Sequence, residues 1–113
     1  MVYDRARELA RMLSESDEYK AYKDTRERAF ANDTTKALLK EYNTLRIRAQ
    51  GAVVSGKKDE ECLARLQKIG EVLQLNRDAS DYLIAEYRLN TMLGDVYRIL
   101  AEALDLSLDA LEE

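Results

Sequence analysis

The strongest constraint on this chain is an unbroken alternation of apolar residues at steps of three and four: Tyr82, Ala85, Leu89, Met92, Val96, Ile99, Ala103 and Leu106. That spacing keeps every side chain on one face of an α-helix in a heptad-like seam, whereas a strand would scatter them over two faces. Leu93, Tyr97, Leu100 and Leu104 lie beside the seam and widen the apolar surface. A helix over 78–104 would be about 40 Å long. The 113 residues include no proline, so the commonest helix breaker is missing throughout.

Four shorter stretches precede it. The first, over about 2–13, places Val2, Ala6, Leu9 and Leu13 on one face. Ser16 then reads as an N-cap, with Asp17 and Glu18 at the positive end of the next helix dipole. The second stretch, about 17–31, is the least apolar. Asn32-Asp33 supplies the next cap, and Leu38, Tyr42, Leu45, Ala49 and Ala52 repeat the heptad spacing as far as about Val54. Ser55-Gly56-Lys57-Lys58-Asp59 reads as a tight turn, with Gly56 left-handed and Asp59 capping the fourth stretch, about 60–75. So short a loop makes the third and fourth helices antiparallel neighbours. Cys62, Leu66, Ile69 and Leu73 form the stripe of the fourth, Gly70 is read as a close helix approach, and Asn76 or Asp78 caps the last helix. The expected fold is all-α, a single domain over 1–113: an antiparallel bundle of about five helices with coiled-coil-like packing and residues 107–113 frayed. The third helix, about 31 Å by the same rise, is too short to cover the fifth. A second copy, making a dimer, is the simplest cover.

Composition narrows the chemistry. With no histidine there is no imidazole base or ligand, and one cysteine makes neither an intramolecular disulfide nor a thiolate zinc site. The expectation is accordingly no enzyme activity, no cofactor and no metal. Cys62, on an apolar stripe, reads as a core cysteine. The carboxylate pairs Glu60/Glu61, Asp78/Asp81 and Asp105/Asp109 sit at helix ends or on polar faces, where dipole and solvent account for them. Glu86, beside the seam, is expected to pair with an arginine such as Arg46 or Arg26. Charges interrupt the N-terminal apolar residues, which argues against a signal peptide or membrane span and for a cytoplasmic chain. Net charge is −4, but residues 1–58 carry +4 and residues 59–113 carry −8. Opposite halves suit contacts between them, and the overall acidity disfavours a nucleic-acid partner.

Two surfaces are candidates for binding. Tyr19, Tyr22, Arg26 and Phe30 accompany Lys20, Lys23 and Arg28 on the second helix and form a candidate partner surface. Leu89, Met92, Val96 and Ile99 form a candidate core or self-association seam. Tyr42, Tyr82 and Tyr97 are assigned to the core.

The order of these features resembles the YlbF/YmcA-like family of small helical bacterial proteins. The residues that carry the likeness are Leu9-Ala10, Ser16-Asp17-Glu18-Tyr19, Tyr22, Asn32-Asp33 and Leu38-Leu39-Lys40-Glu41-Tyr42. The glycine-centred turn, Tyr82-Leu83-Ile84-Ala85-Glu86 and Leu89-Asn90 follow. The resemblance implies a self-associating, non-catalytic regulator of competence, sporulation and biofilm formation, with protein partners in a complex that modulates a membrane-bound, mRNA-processing endoribonuclease. Some members hold iron–sulfur clusters through cysteines, and here the chain departs, because Cys62 alone cannot hold one within one protomer. The alternative reading is a single-stranded RNA-binding module using the basic first half.

Overall fold

The structure, a computed structural model, describes residues 1–106. These form five helices: α1 (Val2–Ser14), α2 (Asp17–Phe30), α3 (Asp33–Val54), α4 (Glu60–Gln74) and α5 (Arg77–Ala103). The fold class is all-α, and the helix ends fall within about a residue of where the caps place them. Asp109 and the expected loosening of 107–113 lie outside the described residues.

The starts of α2 to α5 each have a local cause, whereas Met1 before α1 makes no side-chain cap. Ser16 Oγ accepts from the Tyr19 N–H, Asn32 Oδ1 from Thr35, Asp59 Oδ1 from Cys62 and Asn76 Oδ1 from Ala79. Each bond satisfies one of the amides that a helix start leaves without a partner. The ends of α3 and α5 share a second device. Gly56 takes φ +75° while the Lys57 N–H reaches back to Ala52 O, and Asp105 takes φ +54° while the Leu106 N–H reaches back to Ala101 O. Both are left-handed Schellman stops.

Contacts divide the chain into two compact units, Lys23–Leu83 and a second made of Met1–Tyr22 with the segment from Ile84 onward. The first holds most of the buried side chains. Ala29, Leu39, Leu45, Cys62, Ile69, Leu73, Ala79 and Tyr82 are buried, together with Thr25 and Thr35. Here α3 and α4 form an antiparallel hairpin, tied at successive levels by Arg48 to Asp59 (2.9 Å), Cys62 Sγ to Leu45 O (3.3 Å) and Arg65 Nε to Glu41 (2.7 Å). At the far end of the hairpin Asn76 Nδ2 donates to Thr35 Oγ1 at 2.9 Å, so the residue capping α5 also holds the first turn of α3. The last turn of α2 meets the first turns of α5: Arg28 lies 3.7 Å from Asp78 and 3.9 Å from Asp81, and the Phe30 and Tyr82 rings are 5.4 Å apart.

Three expectations are corrected. The α3 stripe is rotated, since Leu39 and Thr35 are buried with Leu45, whereas Leu38, Tyr42, Ala49 and Ala52 are half-buried. An apolar pattern passes over Thr35, whose place in the core depends on its hydrogen bond to Asn76. A Cβ on Gly70 would meet nothing within 4 Å, so this glycine marks no close helix approach. Tyr97 is exposed and not part of the core.

Candidate interaction surface

In the unit made of 1–22 and the residues from Ile84 onward, α1 buries no residue, and its Val2, Tyr3 and Met12 are exposed. Along the seam of α5 burial fades toward the C-terminus, although Ala101, off the seam, is 2% exposed. Tyr82 and Ala85 are buried, Leu89, Met92 and Val96 are half-buried, and Ile99 is 65% exposed. The flanking row stays open as well, with Leu93 at 42%, Tyr97 at 49%, Leu100 at 51% and Leu104 at 69%. At 100° per residue these side chains and Ile99 share one half of the helix circumference, and Asp95, Arg98 and Glu102 fall on the other half. The result is an apolar stripe without a charge. On the polar side, Arg98 pairs with Asp95 one turn away (3.2 Å).

The second candidate, on α2, is more occupied. Tyr19 and Tyr22 are half-buried with ring centroids 6.4 Å apart, and Arg26 lies 4.9 Å over the Phe30 ring, itself set against Tyr82. Phe30 is therefore engaged with its own chain. Near the start of α2 a shallow groove is lined by Glu18, Tyr87, Arg88, Thr91, Met92 and Asp95.

Among the described residues no group of three or more His, Cys, Asp or Glu side chains could hold a metal ion. Cys62 is 1% exposed and donates to a backbone carbonyl. Arg46 lies 5.8 Å over the Tyr42 ring, and Glu86 is half-buried. Among the described residues no helix is long and apolar enough to cross a membrane.

With five helices, a glycine turn and a long final helix on the page, the comparison with known proteins is direct. The family model described as control of competence regulator ComK, YlbF/YmcA, matches residues 2–105. The chain belongs to the YlbF/YmcA family. Its relatives include a UPF0342 protein of Symbiobacterium thermophilum, 37% identical over 108 residues and covering 95% of this chain and 96% of that protein. A UPF0342 protein of Halothermothrix orenii is 34% identical, covering 95% and 92%. Among solved structures, a protein of unknown function (DUF964) from Bacillus stearothermophilus superposes with a TM-score of 0.76 at 16% identity, covering 92% of each chain. The crystal structure of Bacillus subtilis RicA in complex with RicF matches at a TM-score of 0.61 and 20% identity, covering 92% of this chain and 93% of that one. Both share the fold.

The residues that sequence reasoning passed over lie at the end of α3. Val53 and Val54 are exposed there, because α3 runs on past Arg48, which meets Asp59 at the start of α4, and Ile47 beside Arg48 is exposed as well. Val53-Val54 beside the glycine turn was the available signal.

Proposed function

We propose that this YlbF/YmcA-family chain is a non-catalytic helical adaptor that works through protein contacts, with a homodimer formed along α5 as its platform. The observation that carries this reading is the charge-free apolar stripe of Leu93, Tyr97, Ile99, Leu100 and Leu104 left open to solvent. A two-fold interface sets a patch against its own copy, so a charged stripe would meet like charges and an apolar one does not. The three-four spacing is also what coiled-coil packing between two such helices needs. A RicA–RicF complex exists among proteins of this fold, which supports a partner-binding role. Through the family resemblance we assign the adaptor to a cytoplasmic complex that governs an mRNA-processing endoribonuclease.

Direct RNA binding is the weaker reading. In the basic half Arg5, Arg7, Arg28 and Arg48 each lie within salt-bridge distance of a carboxylate, which lowers the field they offer to phosphate. The test is in-cell cross-linking of the full chain followed by mass spectrometry, beside Leu100→Asp. The adaptor reading expects cross-links to the chain itself and to endoribonuclease-associated proteins, with the self-links lost in the variant. Cross-links to RNA alone would overturn it.

A further inference from the structure

Two runs of the sequence are electrical opposites. The longest run without an acid is 42–58, which carries Arg46, Arg48, Lys57 and Lys58. The longest without a base is 99–113, which carries Glu102, Asp105, Asp109, Glu112 and Glu113. The first run ends at the turn between α3 and α4, where apolar side chains stand in the open. Ile47, Gly51 and Val54 fall at i, i+4 and i+7, on one row of α3. Ile47 and Val54 are exposed, and a Cβ on Gly51 would meet nothing within 4 Å, so the row has a notch between two apolar side chains. Glycine is a poor helix former, and no contact with its own chain calls for it at this position. Val53 and, past Gly56, Lys57 and Lys58 are exposed beside the row. Arg48 is taken up by Asp59, whereas Lys58 lies 4.0 Å from an exposed Glu60, a pair that water weakens.

We propose that the acidic leucine segment 104–113 of one copy docks on the tip of the α3–α4 hairpin of a second copy, over Ile47, Gly51, Val54, Lys57 and Lys58. The occupant follows from charge and apolar content together. Leucines at 104, 106, 108 and 111 alternate with acids at 105, 109, 112 and 113, which supplies apolar side chains for the α3 row and carboxylates for the two lysines. Two tips, or two acidic segments, would instead repel each other. Leu104 and Leu106 are exposed, and so are Val53 and Val54, so the chain as described does not make this contact with itself. The inference takes its second copy from the homodimer reading above and uses a surface other than the α5 stripe. In a two-fold pair the contact is made twice. Opposite charge then sets which ends of the two copies meet, and the apolar row adds affinity.

The experiment equilibrates equal amounts of unlabelled and heavy-nitrogen-labelled full chain at high micromolar concentration. A carbodiimide then joins amines to carboxylates in contact, mass spectrometry reads the links, and sedimentation is run on the same sample. Links from Lys57 or Lys58 to carboxylates of 105–113 are expected, in the mixed-label form as often as in the two pure forms together. Val54→Asp, at an exposed side chain, should reduce them about tenfold by setting a like charge against the acids. Tyr87→Asp, an added charge on the far side of α5 from Leu100, should leave them unchanged. Links in the pure-label forms alone would put the segment on its own chain and overturn the inference. A dimer that shows no such links, or spreads them equally over Lys20, Lys23 and Lys68, overturns it and leaves the homodimer reading standing. A chain that sediments as a monomer at high micromolar concentration overturns both.

Discussion

Gly56 and Asp105 occupy the same position at the ends of α3 and α5, each the left-handed residue of a Schellman stop. A side chain at positive φ costs about 1 kcal/mol, which glycine escapes and aspartate only partly does. Gly56→Ala should therefore destabilise by about 1 kcal/mol, and Asp105→Gly should stabilise by roughly 0.5 kcal/mol, both read from urea midpoints. Asn76 has two partners, the Ala79 amide and the Thr35 hydroxyl. Its replacement by alanine removes a cap and leaves the buried Thr35 short of a donor, a loss of about 1–2 kcal/mol in the same assay. The caps were legible in the sequence because a cap depends only on residues three positions apart. Thr35 was not, because its partner lies 41 residues away.

The helices differ in how much of their apolar face the chain itself covers. In α4 the stripe of Cys62, Ile69 and Leu73 is buried, and Leu73 is 1% exposed. Leu73→Ala should cost about 2–5 kcal/mol, the range for a large aliphatic side chain removed from a packed core. Leu104→Ala, at a side chain 69% exposed, should change the unfolding midpoint of a dissociated chain by less than about 0.5 kcal/mol while weakening self-association. Chemical denaturation at low and high protein concentration separates the two effects. The seam of α5 was readable from its spacing, but spacing alone does not say where along a helix the cover ends. The structure supplies that for the seam, where half-burial at Val96 gives way to exposure at Ile99, while Ala101 off the seam stays buried. On α3 the heptad phase was off by a turn edge because Leu39, one step from Leu38, faces the hairpin.

At the scale of the molecule, the opposite charges of the two sequence halves find one another in the unit of Lys23–Leu83. Arg48 meets Asp59, and Arg28 meets Asp78 and Asp81. These groups are partly exposed, so each pair contributes no more than about 1 kcal/mol, and the charge pattern guides association more than it holds the fold. The contacts also divide the chain into two units, and among the described residues the large fully buried side chains all belong to Lys23–Leu83, a division that a continuous helical pattern in the sequence does not announce. The chain belongs to the YlbF/YmcA family and shares its fold with a chain of the RicA–RicF complex. The central claim is that α5 joins two copies, and sedimentation velocity of the full chain tests it directly. The account predicts a shift from 13.0 kDa to twice that mass as concentration rises into the high micromolar range, abolished by Leu100→Asp and retained by Tyr87→Asp. A single 13.0 kDa species at every concentration would contradict it.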